Sequence, residues 1–329
     1  MKTLNLTLLL LILSITSTIA QIDVKKITET PKAESFLSDS KMKVISGEQN
    51  IIIPEFSICF VVRSSLSVTK GRGDDKATAS SVLTLSGLDN ATLQKITEDV
   101  YDFYLDEIKK TGLNVVSYED FAKSAKFGDL GIEKQPLGEE FKFSGLWDIL
   151  SKISGATHAI KFTAHNRPDF YDMIAAPSNN FMKIWKIAKE MNAVLHEVNI
   201  TVEFVEYDTK KGLAWKANVN AIGGREMVNS VSLKCSPNIF PSNYSANFIT
   251  AKGLIGTTRT KDYCSYGGEF FKEMNTTKTG SKFMEEYGGK SLHFYDVVAN
   301  PDQYREQAEK ILKDYMAMQV QIIQGNMKK

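Results

Sequence analysis

The apolar positions of the chain change their spacing from segment to segment, and each spacing predicts an element. Ile51 to Val62 is a long apolar run broken by Pro54. It predicts a strand buried on both faces, with the proline near its entry. From Arg63 the run gives way to alternation: Ser65-Leu66-Ser67-Val68-Thr69, a charged glycine turn at Gly71-Arg72-Gly73-Asp74-Asp75, then Thr78 to Ser86 through Val82, Leu83 and Leu85. This predicts a long hairpin over 63–87 with one polar face. Leu93, Ile96, Val100, Phe103, Tyr104 and Ile108 recur at helical spacing behind Asp89 or Asn90 as cap, and Gly112 ends the run. Tyr304, Ala308, Ile311, Tyr315, Met318 and Ile322 form a second such stripe, opened by Asn300 and Pro301.

Between these helices the pattern predicts short strands at 113–117 and 156–164, and helices at 119–126, around 146–153 and at 181–191. A meander follows, from Val194 to Tyr207, Leu213 to Ile222 and Met227 to Lys234. Residues 21–50 read as a loosely ordered lead-in. Residues 235–299 read as a turn-rich insertion, with Gly-Gly at 267–268 and 288–289, within one domain spanning 51–329. The predicted class is α/β (α+β): a mixed, largely antiparallel sheet carrying two main packed helices.

The amino terminus has the layout of a secretory signal peptide. Met1-Lys2 is followed by the apolar run Leu6 to Ile15, and Thr18-Ile19-Ala20 precedes Gln21 as the new terminus. Export to the periplasm, the outer membrane or the medium is therefore expected. The chain of 329 residues carries 40 Lys and Arg against 39 Asp and Glu, and cleavage after residue 20 removes Lys2 alone, leaving 39 against 39. Zero net charge argues against a nucleic-acid partner bound through a general basic surface. Of three cysteines, Cys59 lies in the apolar run, while Cys235 and Cys264 flank a polar segment and are the best candidates for a disulfide in an oxidising compartment.

Candidate chemistry is sparse. His158, His165, His196 and His293 show no i, i+4 pair and there is no Cys-x-x-Cys, so neither metal nor cofactor is expected. Ser67-Val68-Thr69-Lys70 and Lys278-Thr279-Gly280 match short motifs of penicillin-recognising serine enzymes, yet Ser67 and Lys70 fall on opposite faces of a predicted strand, where the motif needs a helix. Arg72-Gly73-Asp74 is an integrin-type tripeptide that a charged hairpin tip explains equally. The acidic residues Glu98, Asp99, Asp102, Asp106 and Glu107 lie off the apolar stripe of their helix, as a solvated face would. Lys183, Lys186 and Lys189 lie opposite Phe181, Ile184, Trp185 and Ala188. That helix suits contact with a partner or an anionic membrane, or ordinary core packing through Trp185. Asn90, Asn199, Asn243 and Asn275 stand in Asn-x-Ser/Thr, with Asn199 in mid-strand.

The segments 63–87 and 212–234 each alternate polar and apolar residues over about the length of a membrane β-hairpin. The same alternation describes any sheet with one wet face. The order of elements adds a resemblance. Ile51-Ile52-Ile53-Pro54-Glu55-Phe56 leads to a helix ending Glu107-Ile108-Lys109-Lys110-Thr111-Gly112. Leu113-Asn114-Val115-Val116-Ser117-Tyr118-Glu119-Asp120, Gly155-Ala156-Thr157-His158-Ala159-Ile160 and Val198-Asn199-Ile200-Thr201-Val202-Glu203-Phe204-Val205-Glu206-Tyr207-Asp208-Thr209-Lys210-Lys211-Gly212 then follow in that order. This resembles the periplasmic domain of the CsgG-like curli secretion-channel family over about half of the mature chain. The family's lipobox cysteine is missing, and no functional residue of the family carries over. The resemblance implies a non-enzymatic α/β envelope protein open to oligomerisation. Three classes follow: an exported binding or assembly protein, with protein partners or self-association; an outer-membrane pore or secretion-channel subunit using the two hairpins; and a secreted hydrolase.

Overall fold

The computed structural model describes residues 24–70, 77–131, 138, 158–168, 170, 179–208, 234–279 and 290–327. The predicted signal peptide, the helix around 146–153, the Arg72-Gly73-Asp74 tip and most of the segment 212–234 lie outside the described residues.

The architecture is built on one strand. β3 (Asn50–Lys70) is 21 residues long, roughly 70 Å at strand rise. Its first half pairs in parallel with β7 (Val194–Asp208), from Ile51↔Val194 to Phe60↔Val202. It also pairs with β5 (Asn114–Val115) and, antiparallel, with β6 (His158–Thr163). Its second half pairs antiparallel with β4 (Ala77–Ser86), from Arg63↔Thr84 to Lys70↔Ala77. β8 (Lys234–Ile249), β9 (Ile255–Thr260) and β2 (Leu37–Ser40) continue the sheet beyond β7. β12 (Lys290–Ala299) and β11 (Phe271–Thr279) continue it beyond β4. The order is β11-β12-β4-β3-β7-β8-β9-β2, in a ten-stranded sheet of mixed, largely antiparallel pairing. β1 (Val24–Lys26) and β10 (Tyr263–Ser265) form a separate parallel pair.

Five α-helices are present among the described residues: α1 (Ala33–Phe36), α2 (Asn90–Lys109), α3 (Tyr118–Ala122), α4 (Asn179–Met191) and α5 (Pro301–Met327). The two long ones are α2 and α5, as the two stripes predict. The Asp89 side chain accepts from Thr92 N at 2.7 Å and so opens α2. Asn300 Oδ1 accepts from the backbone N–H groups of Asp302 at 3.2 Å and Gln303 at 3.4 Å ahead of α5. Both helices bury their stripes on one face of the sheet, against Phe56, Ile58, Phe60, Val198, Ile200, Val202, Ala246 and Phe248. Each large apolar side chain buried there contributes about 1.5–3 kcal/mol before entropy.

The other face carries a smaller core, in which Ile184, Ile187 and Ala188 of α4 and Phe121 of α3 cluster with Ile52, Leu195 and Ile249. Neighbours along a strand point to opposite faces, so the split between Val194 and Leu195, or Phe248 and Ile249, makes a three-layer fold. Pro54 enters this arrangement through a register shift between Ile52 and Glu55. The shift exchanges odd for even positions: Ile51 and Ile53 before it, and Phe56, Ile58 and Phe60 after it, all join the same core.

Two expectations are corrected. Residues 24–49 are not a loose lead-in: β2 pairs with β9 from Leu37↔Thr260 to Ser40↔Thr257, and Phe36, Leu37, Met42 and Ile45 are buried. Residues 235–299 are not a turn-rich insertion; most of them form β8 to β12. Polarity misleads at the two edges, β2 and β11, because edge strands with one wet face need few apolar residues; β8 is internal and buried through Phe240, Tyr244, Ala246 and Phe248, and Pro237 and Pro241 disguise it as turn.

Buried polar groups fix the packing. Gln319 of α5 is fully buried, and its Oε1 accepts from the hydroxyls of Tyr244 at 2.8 Å and Thr258 at 2.6 Å, tying the helix to β8 and β9. His196 of β7 is buried between the Tyr104 hydroxyl at 2.6 Å and the carbonyl of Asn247 at 3.0 Å, and stacks on Phe248 with ring centroids 4.0 Å apart. Burial pushes its imidazole down to about 3, outweighing the bond to Asn247. Between pH 6.5 and about 3 the unfolded chain binds a proton that the folded chain refuses, so stability falls on acidification. His196→Leu should remove this slope, which approaches about 1.4 kcal/mol per pH unit. It should also cost on the order of 2 kcal/mol at neutral pH by stranding the Tyr104 hydroxyl. Denaturant unfolding of both proteins across this range tests it; parallel curves would refute the assignment.

Candidate functional site

Strand directions alone define the first feature. β7 runs parallel to β3, β4 antiparallel to it, β12 parallel to β4, β11 antiparallel to β12, and β8 antiparallel to β7. The strand ends at Lys70, Ala77, Asp208, Lys234, Thr279 and Lys290 therefore all lie at one end of the sheet. The hairpin expected at 63–87 is present as β3–β4. The hairpin expected at 212–234 lies outside the described residues, apart from Lys234 at the start of β8. A third hairpin, β11–β12, pairs Phe271↔Ala299 to Thr279↔His293 with two register shifts, and joins β4 through a parallel ladder from Lys290↔Thr78 to Val298↔Ser86. The turn-rich reading of 235–299 missed both of its strands: the second carries an apolar signal in Leu292-His293-Phe294-Tyr295-Asp296-Val297-Val298, whereas the first, Phe271 to Thr279, is mostly polar.

The strands at this end are joined at their base. The Tyr207 hydroxyl donates to Ser64 Oγ at 3.0 Å, linking β7 to β3 above the last paired residues of the two strands. Asn238 Nδ2 donates to Glu206 Oε2 at 3.0 Å across β7 and β8. Glu203 lies among them. One of its carboxyl oxygens is buried with no hydrogen-bond partner among the described residues, and burial pushes its pKa up to about 7 against a hydrogen bond to Ser242.

Cys235 also stands here, opposite Tyr207. The expected disulfide between Cys235 and Cys264 is not formed; both are free thiols. The ring of Tyr263, next to Cys264, meets Phe240 at 6.2 Å, five positions along β8 from Cys235. That is roughly 15 Å of strand, beyond the roughly 7 Å that a bridge allows between Cα atoms. Burial pushes both thiols up to about 11, so they stay protonated at neutral pH.

The second feature is a polar ladder on the face opposite α2 and α5. The Ser57 hydroxyl donates to Asn199 Oδ1; Asn199 Nδ2 donates to Glu197 Oε1 at 2.5 Å and Asn247 Nδ2 to Glu197 Oε2 at 3.2 Å. Glu55, buried beside them, accepts from Phe170 N at 3.2 Å and faces Lys161 Nζ at 3.7 Å. Each carboxylate is answered by donors, so the ladder has the chemistry of register-setting across β3, β7 and β8. Asn199 is thereby engaged inside the sheet rather than presented as a glycan acceptor.

The third feature is α4. Trp185 does not project as a contact residue: it belongs to the smaller core, its Nε1 donates to Ala251 O at 3.0 Å, and Gly253, at φ +75°, approaches the same indole so closely that a Cβ would lie 3.0 Å from Nε1. Lys183 bonds the carbonyl of Asp129, whereas Lys186 and Lys189 are exposed. Among the described residues the exposed large hydrophobics are Met182 at 46% and Leu254 at 48%. Both border Trp185, one three residues back on α4 and the other beside Gly253, and Lys252 is exposed in the same turn. A basic patch with two apolar studs results.

Among the described residues no group of three or more His, Cys, Asp or Glu could hold a metal, and no helix is long and apolar enough to cross a membrane. Ser67 to Lys70 lies in the extended backbone of β3, as its alternation predicts. Compared with protein-family models, curated proteins and solved structures, the chain shows no match.

Glu203 yields a test of the hairpin base. Its folded pKa of about 7 lies above the ordinary 4.5, so the folded chain holds the proton longer and stability is lost as pH rises between those values. Relative to the wild type, Glu203→Gln should gain on the order of 2 kcal/mol between pH 5 and 8. Chemical denaturation at those two pH values measures it; an unchanged difference would show that Glu203 ionises freely.

Proposed function

We propose that this chain is an exported, non-catalytic cell-envelope assembly protein that self-associates through its hairpin end. The observation that carries the reading is the common direction of β3–β4, β7–β8 and β11–β12 at one end of the sheet. β11 pairs only with β12 among the described strands and leaves an open edge, which is a template for another strand. The lead sequence of residues 1–20, and an order of elements in the sequence that resembles CsgG-like proteins, support placing it in a bacterial envelope.

A second reading has its own observation. The register at the hairpin end keeps β11, β12, β4 and β3 continuous, so a ring of copies would set such ribbons side by side and close a barrel. In that reading the chain is a subunit of an outer-membrane pore or secretion channel. The hydrolase reading has no comparable support, because the Ser67 and Lys70 pair lies on a strand.

Native mass of the full chain, taken with and without detergent together with membrane fractionation, tests both. Self-association is expected in detergent, and a discrete ring in the membrane fraction supports the pore. A monomer under every condition would overturn the assembly reading, and a soluble oligomer without membrane association would overturn the pore.

A further inference from the structure

We infer that the groove between β2 and the last turns of α5 binds an extended peptide segment, through its backbone and through one lysine or arginine side chain. The site lies at the edge of the sheet opposite β11 and does not depend on self-association through the hairpin end.

Three observations meet at this groove. The first is an open strand edge. β2 ends the sheet, and β9 is its single partner among the described strands. The Phe36 carbonyl accepts from Lys261 N at 2.8 Å, and Ser38↔Arg259 and Ser40↔Thr257 follow at two-residue steps, so these residues turn their backbone groups toward β9. Leu37 and Asp39 alternate with them and face outward. The Leu37 N–H is taken by the Ala33 carbonyl. The Leu37 carbonyl and both backbone groups of Asp39 remain on the edge, where a further strand can pair with them.

The second is space. Leu37 and Asp39 share one face of β2 and border a groove of about 220 Å³, whose other wall is α5 at Gln321, Ile322, Gly325 and Asn326. A water takes roughly 30 Å³, so the groove has room for a long side chain. Gly325 keeps it open. The residue lies inside a helix, where glycine is less stable than alanine, and a Cβ there would meet nothing within 4 Å. Packing does not account for this glycine, whereas access to the groove does.

The third is charge. The lining includes Glu34 and Asp39 but no Lys, Arg or His. Lys261 Nζ reaches Glu34 at its backbone carbonyl, at 2.8 Å, and not at its carboxylate. Asp39 Oδ2 accepts from the neutral amide of Asn326 at 3.4 Å. Lys32 and Lys41, exposed at either end of the segment, pair with neither carboxylate among the described residues. Ala33, Leu37 and Ile322 supply apolar surface between the two acids. Such a lining fits a lysine or arginine, with the aliphatic stem on the apolar residues and the charged head at the carboxylates. A strand added to β2 sends every second side chain to the face that carries α5, so the edge and the groove address the same peptide. Main-chain bonds then supply affinity, and the groove supplies selectivity.

Fluorescence anisotropy on the full chain tests the inference, using the labelled peptide Thr-Val-Lys-Val-Thr and a counterpart with Glu in place of Lys. The lysine peptide should bind about tenfold or more tightly than the glutamate peptide, with the preference shrinking in about 1 M salt. Gly325→Leu sends its side chain into open space, so it should melt no lower than the wild type while weakening the lysine peptide about tenfold or more. Asp39→Asn with Glu34→Gln changes two exposed side chains and leaves Asn326 an acceptor; it should keep the fold and bring the two peptides to similar affinity. A lysine peptide N-methylated along its backbone should not bind. Equal binding of the two peptides by the wild type, unchanged binding in Gly325→Leu, or full binding of the N-methylated peptide would each overturn the inference, as would a wild type that binds neither peptide. None of these readouts is the oligomer mass by which self-association is judged, so either proposal can fail alone.

Discussion

The fold depends on the length of β3 and on what its two halves must bury. Over Ile51 to Phe60 the strand pairs with β7 along one edge and with β5 and β6 at either end of the other, and has a packed layer on each face. Past Arg63 it pairs with β4 and leaves the part of the sheet that α2 and α5 cover. A strand that crosses from one environment to the other has to change its sequence pattern on the way. This one does, from Ile-Ile-Ile and Phe-Val-Val to Ser-Leu-Ser-Val-Thr. Because period-2 register places every side chain on one face or the other, the bulge at Pro54 sets which residues of the first half meet the helices. Without it, Phe56, Ile58 and Phe60 would point into the layer where Glu55 and Ser57 now find their hydrogen-bond partners.

That second layer shows how polar residues can be afforded inside a sheet. Toward the start of β7 it is apolar, with α4 on Ile52, Leu195 and Ile249. Farther along, Glu197, Asn199, Asn247, Ser57 and Glu55 satisfy one another across three strands. A misregistered β7 would separate Asn199 from Ser57 and Glu197 from Asn247 together, leaving several buried groups without partners at once. The cost of that error, about 1–3 kcal/mol for each stranded group, makes the ladder a register device that a purely apolar face would lack. The three strands it locks include both that carry the hairpin base at Tyr207 and Ser64.

Much of this was legible in the sequence where one physical signal dominated. The stripes of α2 and α5, with Asp89 and Asn300 at their entries, are read from 3.6-residue spacing and capping chemistry, and the β3–β4 hairpin from alternation around a glycine turn. The lead-in and part of the 235–299 region were misread because β2 and β11 lie at the two edges of the sheet, far from its apolar centre. β2 contributes Leu37 and then three exposed residues, and the first strand of the third hairpin is largely Lys, Glu, Asn and Thr. Strand pairing stabilises such segments through neighbours distant in sequence, which local pattern does not record. The disulfide failed for a related reason: loop composition around Cys235 and Cys264 says nothing about the distance between β8 and β10. On α4 the lysines were correctly placed outside, but Trp185 was claimed by the β8–β9 turn, and the exposed apolar positions proved to be Met182 and Leu254.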